Sequence, residues 1–239
     1  VSQPKRLAVF ASGGGTNLQA LIDHFNPAPA PAARVELVVA SRAGIGALGR
    51  AARSGIASVV LDPREIGEAA YATRMLAALD EHRIDIVVLA GWLQLVPIKV
   101  VERYHGRMLN IHPALLPGFG GRGMYGMRVH RAVVDAGVRV SGATVHLVSD
   151  RYDEGRIIAQ WPVPVLPGDT PEALAARVLA VEHRLVPLAV EAVAREDESS
   201  QRVAGPICFD LLDAPAPPEQ SIRATTVLPE RRQVPAETK

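Results

Sequence analysis

The sequence predicts an α/β fold: a Rossmann-like, mostly parallel, twisted sheet flanked by helices. A C-terminal part with an antiparallel strand and a long helix extends it. Three observations carry this reading. Short apolar runs of strand length alternate with helical stretches through the first half. Those runs are apolar throughout, as in strands covered on both faces. The second half changes character, with a proline-bearing strand run and then one long helical pattern.

Leu7–Ala11, Val35–Ala40, Ile56–Leu61 and Ile84–Ala90 are the first four strands. Between them, Asn17–Phe25, Ala47–Ser54 and Glu68–His82 are helices; Leu76 and Leu79 recur at helical spacing in the last. This βαβα order implies right-handed crossovers and a parallel sheet. Residues 27–31 are an Ala/Pro spacer. Pro97 opens a short helix toward Tyr104, and Arg107–Ile111 is a fifth strand. Ala143–Ser149 reads as a strand of mixed pattern. Ile157–Val165 reads as an edge strand because of Pro162 and Pro164. Asp169-Thr170-Pro171 starts a helix to about Arg195, with a bend or break at Pro187. The implied organisation is a phosphate-binding half (1–106), a catalytic half of the same domain (107–198), and an irregular tail (199–239) with six prolines.

Bulk properties narrow the function. The chain has 239 residues, 48% hydrophobic and 21% charged, which suits a soluble globular protein. A net charge of +1 gives no reason to expect nucleic acid or an anionic membrane as partner. Aromatic content of 4% argues against base-stacking platforms. No apolar stretch approaches the roughly 20 residues that span a bilayer, and the first residues lack a signal-peptide core. A single cysteine, Cys208, suits a reducing cytoplasm.

Several motifs carry chemistry. Asn110-Ile111-His112-Pro113 lies at the end of an apolar run. Residues i and i+2 of a strand share a face, so Asn110 and His112 address one spot. An amide donor and a titratable ring together suit a polarised carbonyl and a proton transfer. Ser12-Gly13-Gly14-Gly15-Thr16-Asn17 follows the first strand and opens a helix, a setting for an anion on free N–H groups. It lacks the lysine of a Walker loop. Gly44-Ile45-Gly46-Ala47-Leu48-Gly49 matches a dinucleotide fingerprint, with Asp62 as ribose acid. It follows the second strand rather than the first, and a plain glycine turn is the favoured reading. The loop Asp150–Gly155 holds carboxylates, one of which would orient His112 on contact. Glu182-His183 lies within the long helix. No cluster has metal-ligand spacing.

Taken together, Asn110-Ile111-His112-Pro113, Leu115-Leu116-Pro117 and Asp150-x-x-Asp153-x-Gly155 resemble the folate-dependent formyltransferases. Ser12–Asn17 resembles the phosphate loop of the branch that uses glycinamide ribonucleotide in purine synthesis. Leu89-Ala90-Gly91, residues 142–146, Gly168-Asp169 and Arg177 through Glu182 to Pro187 add to the likeness, which covers about residues 5–195. The resemblance implies the formyltransferase fold and formyl transfer from 10-formyltetrahydrofolate to glycinamide ribonucleotide, without a metal. It implies Asn110, His112 and Asp153 as catalytic groups. It places the substrate phosphate on Gly13, Gly14, Gly15, Thr16 and Asn17, and the ribose on Glu182. It puts the pterin among Leu93, Gln94, Leu95, Val96, Asn110, Val148, Ser149, Asp150 and Asp153. It suits a cytoplasmic monomer or homodimer whose partners are small molecules.

In that chemistry an amine attacks the formyl carbon, Asn110 and a protonated His112 meet the oxyanion, and Asp153 favours the protonated ring. The chain departs from the common pattern in two places. Residues 118–127 form a longer, glycine-rich loop that reads as a mobile flap; its Arg122 would meet either the phosphate or the folate glutamate. Gln94 stands where many relatives have arginine. The rival readings are another 10-formyltetrahydrofolate-dependent formyltransferase, a formyltetrahydrofolate hydrolase, or an NAD(P)-binding oxidoreductase resting on Gly44, Gly46, Gly49 and Asp62.

Overall fold

A computed structural model describes residues 3–195. The tail expected over 199–239 lies outside the described residues. Seven strands are present: β1 (Lys5–Ala11), β2 (Ala33–Ala40), β3 (Ala57–Val60), β4 (Ile86–Leu89), β5 (Met108–His112), β6 (Val140–Leu147) and β7 (Ile157–Pro164). The helices are α1 (Thr16–Phe25), α2 (Gly46–Arg53), α3 (Pro63–Ile66), α4 (Glu68–Glu81), α5 (Ile98–Arg103), α6 (Met127–Asp135) and α7 (Pro171–Arg195). The sheet order is β3-β2-β1-β4-β5-β6-β7. The first five strands pair in parallel; β6 and β7 add antiparallel.

Alternation along the strands sorts the core. Ala8 and Phe10, Leu37 and Val39, and Val87 and Leu89 share a core with Met75 and Leu79 of α4 and Val100 and Val101 of α5. Their neighbours Leu7, Val9, Val38 and Val88 are equally buried and point to the other face. Both faces are covered, so no solvent-facing polar stripe interrupts these runs.

Ends and irregular elements differ from expectation. Helix α7 runs through Pro187 as one element, so of the expected bend or break there is no break. Proline in a helix interior costs about 3 kcal/mol. Leu185, Val186, Ala189 and Val190, all buried, keep the helix seated on both sides of it. Strand β6 starts at Val140 rather than Ala143 and ends before Val148. Its residues 141–146 are all buried, which erases the alternation that marks a one-sided strand. Two helices were not anticipated. Four-residue α3 is closed by its Asp62 cap and Pro63. α6 follows the glycine-rich loop and carries β-branched valines that lower helix propensity, yet Val129 and Val133, four apart, are buried. Strand β7 is the sheet edge, where Pro162 and Pro164 leave no interior ladder bond unmade.

Candidate active site

The C-terminal ends of β1, β4 and β5 open into one cavity of about 750 Å³. Such crevices beyond parallel strand ends are where ligands bind in open α/β sheets. Asn110 and His112 both line it, as their spacing on β5 requires.

Register supplies the next residue. Asn110 sits opposite His146 on β6, and His112 opposite Thr144. Directly opposed residues of an antiparallel pair project to the same face. The His146 ring therefore stands beside the Asn110 amide, with Asn110 Nδ2 at 3.0 Å from His146 Nε2. His146 Nδ1 lies 2.9 Å from the Leu147 carbonyl, which only accepts, so Nδ1 carries the hydrogen and Nε2 accepts from Asn110. An amide nitrogen has two hydrogens; the second remains for a ligand. Beneath His112, the buried Thr144 hydroxyl donates to the Ala114 carbonyl at 2.6 Å and accepts from the Leu116 amide at 3.1 Å. It pins the chain as it leaves β5.

Asp153 closes the cluster from the loop after β6. Its Oδ2 is 3.7 Å from His112 Nδ1 and its Oδ1 is 3.6 Å from His146 Nε2. The Gly121 amide donates to Oδ2 at 2.8 Å. His112 is 3% exposed. Burial pushes its pKa below the ordinary value, against the Asp153 carboxylate and the Phe119 carbonyl, which raise it. Burial on its own would raise Asp153, but the Gly121 amide donating to it and the adjacent His112 ring hold its carboxyl below the usual range.

Of the glycine loop, Ser12, Gly13 and Asn17 line the cavity, while Gly14, Gly15 and Thr16 lie behind that lining. The loop's carbonyls are tied to α2: Ala47 N donates to Gly13 O at 3.1 Å, and Arg50 Nε to Gly14 O at 2.8 Å. A Cβ on Gly15 (φ 73°) would stand 2.8 Å from Ala47, and one on Gly46 would stand 3.0 Å from Gly14 O. Only glycine permits two backbones to approach this closely. The Gly44–Gly49 turn thus braces the first loop. Asp62 is not free for a ribose: it is buried, caps α3, and binds Arg64 through both carboxylate oxygens. Side-chain hydrogen bonding from Arg64 brings its carboxyl down to about 2. Arg64 is thereby committed away from the cavity.

Asn17, in the first turn of α1, donates from Nδ2 to Glu182 Oε2 at 2.7 Å, bringing α7 to the loop. Burial drives the Glu182 carboxyl up to about 7, with the Asn17 bond opposing the shift. Asn17 and Glu182 both line the cavity. At its mouth, the Leu93 amide donates to Ser12 Oγ at 3.0 Å. Leu93 and Leu95 are 55% and 67% exposed and line the cavity, apolar surface outside the core. Gln94, Val96, Val148, Ser149 and Asp150 complete this rim, and Arg122 reaches it from the glycine-rich loop.

Sequence reasoning passed over His146, Thr144 and His130 as site residues. His130, buried in the first turns of α6, also lines the cavity. His146 is identifiable only from its strand register against Asn110. Among the described residues, no group of three or more His, Cys, Asp or Glu is placed to hold a metal ion, and no helix is long and apolar enough to cross a membrane.

A formyl transferase family profile matches residues 5–190. Phosphoribosylglycinamide formyltransferase of Brucella melitensis is 44% identical over 82% of this chain and 98% of its own, with a TM-score of 0.74. Glycinamide ribonucleotide transformylase 1 of Symbiobacterium toebii is 40% identical over 80% of this chain and 88% of its own, also with a TM-score of 0.74. The chloroplastic phosphoribosylglycinamide formyltransferase of Arabidopsis thaliana is 42% identical over 194 residues; the chain spans 66% of its length, just under two thirds. On the profile match and these identities, the chain belongs to the formyl transferase family.

Proposed function

We propose that this cavity transfers the formyl group of 10-formyltetrahydrofolate to the amino group of glycinamide ribonucleotide, giving formylglycinamide ribonucleotide and tetrahydrofolate. One observation carries the reading. Asn110, His112 and Asp153 converge on the same cavity as a braced glycine loop joined to Glu182. A phosphorylated amine and a reduced pterin need those two ends and a common middle.

The phosphate rests on Gly13–Asn17, where unpaired N–H groups at the start of α1 face an anion. Glu182 takes the ribose hydroxyls. The pterin enters between Leu93–Val96 and Val148–Asp153. Attack of the amine on the formyl carbon builds an oxyanion. Asn110 donates its second amide hydrogen to that oxygen, and the His112 ring donates beside it. Negative charge on the oxygen favours a His112 ring that has taken up a proton from solvent, and Asp153 carries the counter-charge of that imidazolium. The proton leaves the amine and reaches the departing folate nitrogen as the C–N bond to folate breaks. Holding both reactants in line supplies much of the remaining acceleration.

The domain reading follows the same division, with residues 1–106 presenting the phosphate loop and 107–198 the catalytic groups. The single cysteine supports a reducing, cytoplasmic setting. The test is an absorbance assay for folate product with glycinamide ribonucleotide supplied or omitted. Product only in the presence of the ribonucleotide is the expected result. Equal product without it identifies a hydrolase and overturns the proposal.

A further inference from the structure

We infer that Arg122 and Arg128, at the mouth of the cavity, bind the glutamate carboxylates of the folate co-substrate, with Tyr125 between them in sequence packing on its benzoyl ring. This rests on the formyl-transfer reading above.

The arginines that line the cavity are Arg122, Arg128 and Arg151. Arg151 is paired with Glu154 at 3.3 Å. Among the described residues, neither of the other two guanidiniums has a carboxylate within ion-pair distance or a hydrogen-bond acceptor. The acids of the cavity are engaged elsewhere or out of reach. Asp153 stands with the two imidazoles, Glu182 with Asn17, and Asp150 pairs with neither arginine. Two cations without a counter-charge therefore face one cavity, a setting for a carboxylate or phosphate.

Turns of the main chain hold them there. The Gly121 amide donates to Asp153, and the Gly121 carbonyl accepts from Met124 N at 3.0 Å, with Arg122 inside that turn. The Tyr125 carbonyl accepts from Arg128 N at 3.2 Å. Gly121, Gly123 and Gly126 have φ of 92°, 90° and 54°, and a Cβ on any of them would meet nothing within 4 Å. Glycine at these positions serves the turning of the chain rather than close packing. Arg128 lies in the first turn of α6, which the buried Val129 and Val133 anchor. Its guanidinium carbon is 4.8 Å from the centre of the Tyr125 ring. Such stacking restrains a long side chain and leaves the N–H edge of the guanidinium for an acceptor.

Both substrates carry anions, and the surroundings choose between them. The phosphate is placed on the glycine loop after β1. At the mouth, Tyr125, Met127 and Tyr152 are exposed together with Leu93 and Leu95, an apolar belt around the two cations. A carboxylate carried on a flat apolar ring fits that belt better than a ribose phosphate does. The folate tail is such a group: a benzoyl ring, then a glutamate with two carboxylates.

The test compares 10-formyltetrahydrofolate with 10-formyltetrahydropteroyl methylamide, which keeps the benzoyl amide and has no carboxylate. Arg122→Gln and Arg128→Gln should each raise KM for the folate about tenfold, and leave KM for the methylamide and for the ribonucleotide within about twofold. Arg128→Lys, which keeps the charge, should recover part of the loss. Both side chains are exposed, so Tm should stay at the wild-type value. A variant that raises KM for the folate and the methylamide alike overturns the inference. A rise in KM for the ribonucleotide alone also overturns it and assigns the arginines to the phosphate. Absence of formyl transfer by the wild-type chain would refute the function separately. Calorimetric affinities for the folate and the methylamide then decide: equal affinities overturn the inference, and a preference for the folate that Arg128→Gln abolishes upholds it.

Discussion

Replacing Asp153 with asparagine removes a charge and leaves the shape. The asparagine carbonyl can still accept from the Gly121 amide, which lies 2.8 Å from the aspartate oxygen. What is lost is attraction between a carboxylate and an imidazolium at 3.7 Å. With an effective dielectric constant of about 20, that attraction is roughly 4.5 kcal/mol. Burial already presses His112 toward the neutral form, so no other strong counter-charge compensates. The asparagine dipole recovers part of the loss, and kcat is expected to fall about 100- to 1000-fold. The Michaelis constants should change little, because the ground state does not require the imidazolium. Folate product followed by absorbance at saturating substrates measures this. An Asp153→Asn enzyme within about threefold of wild type would refute the reasoning and take the carboxylate out of the chemical step.

Other expectations follow from the same geometry. His146→Phe strips the acceptor from Asn110 Nδ2, and with it the amide's orientation. We expect a loss of about 1–2 kcal/mol in the barrier, near tenfold in kcat, with an unchanged rate counting against His146. Gly14→Val and Gly15→Val should separate binding from folding. A Cβ on Gly14 meets nothing within 4 Å, so its effect should fall on the Michaelis constant for the phosphorylated substrate, with Tm nearly unchanged. Gly15, at φ 73° and 2.8 Å from Ala47, should cost about 1–3 kcal/mol of stability, read as a lowered Tm. Glu182 carries a folded-state carboxyl near 7 against a reference of 4.5. Raised above its unfolded value, it adds stability that is complete below about 4.5 and lost as pH rises through 7. Glu182→Gln should flatten that decline, worth about 3 kcal/mol between pH 4.5 and 8, in denaturant titrations. A mutant with the wild-type slope would remove Glu182 as its source.

Much of the fold was legible because one physical rule governs it. Val35–Ala40 and Ile84–Ala90 are apolar on both faces, and a strand so composed needs cover on both sides. The sequence misled where burial contradicted local pattern. Strand β6 hides its alternation because both its faces are covered over residues 141–146. Helix α6 hides behind glycines and valines. At Pro187 the local rule gave a bend or break, and packing on both flanks kept the helix unbroken.

The site divides the same way. Asn110 and His112 share a strand and a side, which spacing alone establishes. Their glycine loop follows a strand and starts a helix, so its place at a strand's C-terminal end was also readable. The partners that tune them come from far along the chain. His146 meets Asn110 through strand register across 36 residues, and Glu182 reaches Asn17 across 165. The Gly44–Gly49 turn shows the limit most clearly. As a string it suggests a dinucleotide; in space it braces the first loop, and Asp62 is taken by Arg64. Composition and periodicity determine which segments must be buried and which side chains share a face, because those follow from geometry within a few residues. Which groups then touch, how far burial shifts their protons, and which glycine serves a ligand depend on contacts between distant segments. Those only the tertiary structure decides.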